Sequence, residues 1–215
     1  MSKFEIIPIE YGKSFLPESM VFQNGEKDKL RPIVFMVYLI KTENRLILAD
    51  AGCETMPGFD MRDFIGPIKA LKKENIQPDD ITDVIITHSH HDHIECVKYF
   101  KRAVIYIQRD EYNDGKQYIG EDTNIKLFDD EAQICSCVKA VKIGGHSKGS
   151  CIVEIYDEDD KYVIVGDECY SRECLDKKIP TGSSYCLEKS REFIEKYTDG
   201  EYKLLLCHEK GILEM

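Results

Sequence analysis

Short runs of aliphatic and β-branched residues, each bounded by glycine, aspartate or histidine, recur along the chain and predict strands alternating with helices. The opening runs at 4–9, 32–40 and 45–48 read as strands, with Glu43-Asn44 as the turn between the last two. Val84-Ile85-Ile86-Thr87 is apolar enough for a short buried strand, and 138–143, 162–165 and 203–207 read the same way. Residues 61–75 place Phe64, Ile65, Ile68 and Leu71 at helical spacing, which predicts an amphipathic helix packed on the core. Pro78 closes that helix, and Asp79-Asp80 cap the next element. Ile94, Val97, Lys98 and Phe100 begin another helical pattern, and 188–197 predicts a late helix. Residues 171–185 contain Pro180, Gly182 and several serines, which predicts an irregular loop. With 215 residues and 42% hydrophobic content, the pattern predicts one α/β domain spanning residues 1–215.

The chemistry sits where these strands stop. The run at 84–87 ends in His88-Ser89-His90-His91-Asp92-His93, which holds four of the six histidines. The run at 138–143 ends in Gly144-Gly145-His146-Ser147-Lys148-Gly149-Ser150, where glycines permit tight turns around a ligand. The run at 162–165 ends on Gly166-Asp167, and 203–207 ends on His208. Imidazole nitrogen and carboxylate oxygen are preferred ligands of zinc-like divalent metals, and such clusters are costly to a fold unless a cation satisfies them. A solvated His-rich loop is the alternative, and the buried strand leading into the cluster argues against it. His88 and His90, two apart in an extended turn, share a side and can chelate one metal. Asp92 and His93, in the first turn of the following helix, face elsewhere and are available to a second metal about 3.5 to 4 Å away.

The ordered set Asp50-Ala51-Gly52, His88 to His93, Gly145-His146, Gly166-Asp167 and His208 resembles the metallo-β-lactamase superfamily. The resemblance implies a four-layer αββα sandwich with two mixed β-sheets. It implies one metal held by His88, His90 and His146, another by Asp92, His93 and His208, and Asp167 bridging them, with a hydroxide between the two divalent ions. Asp50 would brace the site rather than ligate. A narrower resemblance, to the N-acyl-homoserine lactone lactonases, is carried by three stretches. They are Tyr106-Ile107-Gln108-Arg109-Asp110-Glu111-Tyr112, Gly145-His146-Ser147-Lys148-Gly149 and Asp167-Glu168-Cys169-Tyr170. It implies that Tyr170 polarises the substrate carbonyl; an ordinary half-buried aromatic is the other reading of that position. Glu95-Cys96 stand where the family commonly has two glycines. Their side chains would either narrow the pocket, add a carboxylate beside the metals, or simply be tolerated by the helix.

These features predict a dinuclear metal-dependent hydrolase that opens a lactone or cleaves a related carboxylic ester, with Asp92 relaying the proton to the leaving alkoxide. A thioester hydrolase of the hydroxyacylglutathione hydrolase type, or a phosphodiesterase, is the second reading. A non-catalytic metal-binding module is the third. Di-iron oxygen reductases are disfavoured, because those relatives carry a carboxylate where this chain has His90. Zinc is the expected metal, and the same ligands accept iron, manganese or cobalt.

Charge and cysteine usage bound the setting. Twenty-nine basic against 40 acidic residues leave −11, with no basic stripe, which counts against nucleic acid as a partner and otherwise bears only on solubility; the small-molecule ester or lactone is the partner that the resemblance implies. Nine cysteines, an odd number, behind an opening Met1-Ser2-Lys3-Phe4 that carries no signal peptide, predict reduced thiols in a cytoplasm. Cys135 and Cys137 are expected to alternate along a strand as small core residues. Cys96, Cys169 and Cys207 lie near proposed ligands, and service as extra soft ligands is the lesser reading. No apolar run approaches the roughly 20 residues of a membrane helix. The acidic runs Asp129-Asp130-Glu131 and Asp157-Glu158-Asp159-Asp160 read as solvated hairpin tips. Self-association into a homo-oligomer is left open.

Overall fold

The computed structural model describes residues 4–158, 160–210 and 212–214, the last three by backbone alone. Among these, strands form two six-stranded sheets. The first runs in the order β1 (Phe4–Pro17), β2 (Leu30–Thr42), β3 (Leu46–Ala49), β4 (Asp83–Ile86), β5 (Val104–Gln108) and β6 (Ile125–Phe128). It is antiparallel through β3 and parallel from β3 to β6. The second runs β7 (Glu131–Cys135), β8 (Val138–Lys142), β9 (Cys151–Tyr156), β10 (Lys161–Ile164), β11 (Lys203–Leu205) and β12 (Ile212–Glu214), parallel only between β10 and β11. The helices are α1 (Glu18–Val21), α2 (Pro67–Lys73), α3 (His91–Ile94), α4 (Arg109–Gly115), α5 (Arg172–Asp176) and α6 (Leu187–Tyr197).

Period-two alternation sorts the apolar residues into layers. Tyr38, Ile40, Ile47, Ile85 and Tyr106 of the first sheet share one cluster with Val138, Ala140, Val153, Ile155 and Ile164 of the second, filling the space between sheets. Their neighbours along the strands face the other way. Leu39, Leu48, Val84 and Ile105 join Leu71 of α2, and Val163 and Leu204 join Phe193, Ile194 and Tyr197 of α6. Strands covered on both faces read as continuous apolar runs, which is why 84–87 shows no alternation. The result is two mixed sheets between helical layers, the α/β sandwich that the sequence resemblance implies.

Several expectations need correction. β1 is far longer than 4–9 and continues through a bulge between Glu10 and Gly12, where an added Cβ would lie 2.6 Å from Phe64. The helix expected over 61–75 forms only from Pro67 to Lys73, because Gly66 at φ +77° and Pro67 at the first helical position set its start. Phe64 and Ile65 still pack on the core, but from a loop whose Ile65 N–H bonds Tyr11 O at 2.9 Å. The helical pattern after residue 93 is α3 followed by a tight 3-10 turn, Glu95–Tyr99. The loop expected over 171–185 begins with α5. Cys135 ends β7 half-buried while Cys137 lies buried in the following turn, so the two do not alternate along one strand. Residues 129 and 130 are no hairpin tip: they carry the chain from β6 in one sheet to β7 in the other, and Asp129 pairs with Arg109 at 2.9 Å. The 157–160 run does tip the β9–β10 hairpin, with Asp159 outside the described residues. Among the described residues no helix is long and apolar enough to cross a membrane.

Candidate metal centre

The ends of β4, β8, β10 and β11 deliver their polar residues to one place. His88 Nε2 lies 3.0 Å from His90 Nδ1, and His146 Nε2 lies 3.0 Å from the same atom. Asp167 Oδ2 faces this trio, 3.7 Å from His88 Nε2 and 3.5 Å from His146 Nε2. Its other oxygen, Oδ1, lies 3.1 Å from His93 Nε2 and 3.0 Å from His208 Nε2, with Asp92 Oδ2 at 3.6 and 3.8 Å from those nitrogens. All seven residues singled out as ligands therefore converge in two adjoining sets, with one oxygen of Asp167 turned to each. His91, the remaining histidine of the cluster, belongs to neither set. Its ring nitrogens meet Tyr118 Oη at 3.1 Å and Thr55 O at 2.9 Å.

The imidazoles are oriented from behind. Asp50, in the left-handed region at φ +63°, places Oδ2 2.8 Å from His93 Nδ1 and accepts the Thr87 N–H on Oδ1 at 2.8 Å. Thr87 Oγ1 donates its single proton to Asp50 Oδ2 at 2.9 Å, so its oxygen is left to accept from His88 Nδ1 at 3.1 Å. Both rings are thereby held with Nε2 free to ligate. His208 Nδ1 donates to Val34 O at 2.9 Å, and the Tyr11 hydroxyl donates to Asp92 O at 2.8 Å. Thr87, Tyr11 and the Val34 carbonyl were not apparent from sequence. Glu168, buried beside Asp167, accepts the N–H groups of Gly145 and His146 at 3.2 Å each and so holds the turn that presents His146.

Residues of this kind and placement fit divalent metal. His93 Nε2 and His208 Nε2 approach Asp167 Oδ1 at 3.1 and 3.0 Å without the alignment of a hydrogen bond, which leaves all three buried atoms unsatisfied, a costly arrangement that a cation resolves. Burial holds His88 well below the ordinary imidazole range and brings His146 down to about 4, so both stay neutral as ligands must. At His93 burial works against protonation, but Asp167, Asp50 and Asp92 outweigh it and hold the ring above its usual range. Burial likewise disfavours charge on Asp167, yet His93, His208 and His88 keep it strongly ionised. The carboxylates that favour a proton on His93 and His208 would equally favour a divalent ion in its place, and with His88 and His146 neutral the group offers the oxygen and nitrogen donors a zinc-like ion takes.

A cavity of about 220 Å³ opens onto these groups. His90, Asp92, His146, Asp167, Tyr170 and His208 form its polar end, and Leu16, Met20, Ile33, Phe35, Met56 and Phe59 form an apolar wall; among the described residues no Lys or Arg lines it. Tyr170 stacks on His208 with centroids 5.0 Å apart and 24° between planes, and Ser183 Oγ donates to its hydroxyl at 3.4 Å. Tyr170 therefore lines the cavity and is buried rather than half-buried. Glu95 is turned away: its Oε2 accepts the Glu54 N–H at 2.7 Å and it pairs with Lys98. Cys96 is buried in the core. Burial pushes the thiols of Cys96, Cys169 and Cys207 up, and none joins a ligand set among the described residues.

The sequence signature described as the Metallo-beta-lactamase superfamily matches residues 36–207. The chain is similar to a protein named a Probable metallo-hydrolase from Methanocaldococcus jannaschii, 32% identical over 150 residues that cover 70% of this chain and 66% of that one. It is also similar to an N-acyl homoserine lactonase of Bacillus thuringiensis, 25% identical over 206 residues, 84% of this chain and 81% of the relative. A solved N-acyl homoserine lactone hydrolase with N-hexanoyl-L-homoserine at its catalytic metal centre shares the fold. Its TM-score is 0.83 at 22% identity, over 97% of this chain and 94% of that one. By fold, by its ordered histidine and aspartate motifs and by sequence signature, the chain belongs to the metallo-beta-lactamase superfamily of metal-dependent hydrolases.

Proposed function

We propose that this chain is a dinuclear metal-dependent hydrolase that opens a lactone or cleaves a related carboxylic ester. The observation that carries the reading is Asp167, whose two oxygens each face one ligand set at the floor of an apolar cavity beside Tyr170. His88, His90 and His146 would hold one ion, Asp92, His93 and His208 the other, with Asp167 shared. Two divalent ions so held supply a water of lowered pKa and a Lewis acid for the carbonyl.

The protein's own groups do the rest. Burial, then the nearby Asp167 charge, keeps the Tyr170 phenol protonated far beyond neutrality, so it can donate a hydrogen bond to the oxyanion that develops on the carbonyl oxygen. Asp92, which lines the cavity, would take the proton released by the attacking water and pass it to the departing alkoxide. The Leu16, Met20, Phe35, Met56 and Phe59 wall receives the apolar part of the substrate and excludes water. The apolar wall suits the uncharged ester or lactone, and among the described residues no Lys or Arg lines the cavity to add to the ions' attraction for a phosphodiester. The lactonase relatives support the same substrate class. Zinc is the proposed metal, and nine cysteines, an odd number, support a reducing, cytoplasmic setting.

Elemental analysis of protein purified without added metal, followed by a panel of lactones, carboxylic esters, thioesters and phosphodiesters, tests the proposal. About two ions per chain and preferential lactone or ester turnover are expected. Faster turnover of a thioester or phosphodiester would reassign the substrate class.

A further inference from the structure

A buried carboxylate outside both ligand sets joins the two loops that make one of them. Glu111 lies in the first turn of α4, and the Gln108 side chain fixes that turn by accepting the Asp110 N–H. Its Oε2 accepts the Ser89 N–H at 2.7 Å and Ser89 Oγ at 2.8 Å, and its Oε1 accepts Ser147 Oγ at 2.6 Å and the Gly149 N–H at 2.8 Å. Ser89 stands between His88 and His90, and Ser147 directly follows His146. Four donors thus converge on two oxygens, and the loops they come from bear all three histidines of the first set. Close approach is built in: a Cβ at Gly149 would lie 3.1 Å from Glu111 Cγ, and one at Gly115 would lie 2.9 Å from Ser89 Cβ.

We propose that Glu111 is a positioning residue that sets the separation of His90 from His146 and so selectively tunes metal affinity at the His88, His90 and His146 set. The inference rests on the reading that these residues hold a metal. The Asp92, His93 and His208 set has its own anchors: Asp50 on His93, the Tyr11 hydroxyl on the Asp92 carbonyl, and the Val34 carbonyl on His208. Substituting Glu111→Gln keeps the shape but turns one acceptor into an NH2 that must face a backbone N–H, of Ser89 or of Gly149. The serine hydroxyls can rotate to accommodate it, whereas those backbone donors cannot, and one loop must move.

The test is titration of chelator-stripped wild type, Glu111→Gln and Ser147→Ala with Co2+, following visible absorption and stoichiometry. In Glu111→Gln one of two ions is expected to bind about 10- to 100-fold more weakly with an altered spectrum, the other as in wild type. Ser147→Ala, which removes one donor and leaves the carboxylate in place, is expected to weaken the same ion roughly fivefold, and it decides the matter if Glu111→Gln does not fold. Two ions bound with wild-type affinity in the variants, or equal weakening of both ions, overturns the proposal. Wild-type protein that binds fewer than two ions overturns the underlying metal reading and this inference with it.

Discussion

Asp50 Oδ2 lies 2.8 Å from His93 Nδ1 and, through Thr87 Oγ1 at 2.9 Å, is linked to His88 Nδ1. One carboxylate therefore orients an imidazole in each of the two ligand sets. Asp50→Asn keeps the volume and tolerates the left-handed backbone at φ +63°, but it places an NH2 against Thr87 or His93, both of which donate. Affinity at both sets is expected to fall about 10- to 100-fold, measured by metal titration of the stripped protein. The effect is shared between the ions, unlike that of Glu111→Gln.

Asp167 and His208 separate the two sets from their junction. His208 completes only the set facing Asp167 Oδ1, so His208→Ala is expected to retain about one ion per chain. Asp167→Ala removes the oxygen that faces each set and leaves both open, so it is expected to retain less than one. Elemental analysis reads the difference, and ester or lactone turnover should be lost in both variants. Retained turnover in both would exclude a mechanism that needs the pair of ions.

How far the sequence carried depends on whether a residue's role is local. Strands that end on His88, His146, Asp167 and His208 were legible because a buried apolar run stopping at a polar ligand is a signal within a few residues. Roles made by contacts between distant residues were not. Thr87, Glu111 and the Val34 carbonyl act on partners supplied by the fold, and a backbone carbonyl leaves no trace in residue type. The over-long helix at 61–75 arose because Phe64 and Ile65 have helical spacing while lying in a loop; Gly66-Pro67 was the stop signal within that run. Glu95 stood where glycines were expected, and only its bond to the Glu54 N–H shows that it faces away from the cavity.

Glu18 gives a pH signature remote from the metal ligands. The Lys29 ammonium at 2.8 Å, with the Glu26 N–H and Arg31, outweighs burial and holds the Glu18 carboxyl at about 2. An unfolded glutamate titrates near about 4.3. The folded value is depressed, so the stabilisation is complete above that point and is lost as pH falls toward about 2. Wild type should exceed Glu18→Gln in thermal midpoint at pH 7 by an amount that shrinks progressively in acid. A difference independent of pH would show that the ion pairs do not stabilise the fold.

Substitution at Tyr170 tests catalysis apart from metal binding. Its ring stacks on His208 and its hydroxyl shares the cavity end with Asp92 and Asp167, but it belongs to neither ligand set. Tyr170→Phe keeps the ring and the stacking, removes the hydroxyl that meets Ser183, and should cost about 1 kcal/mol of stability. If the phenol donates to the oxyanion, kcat should fall about 100-fold or more while KM, metal content and the Co2+ spectrum stay near wild type. Since the donor acts only when charge has developed on the carbonyl oxygen, a rise in KM with kcat unchanged would instead assign Tyr170 to ground-state substrate binding.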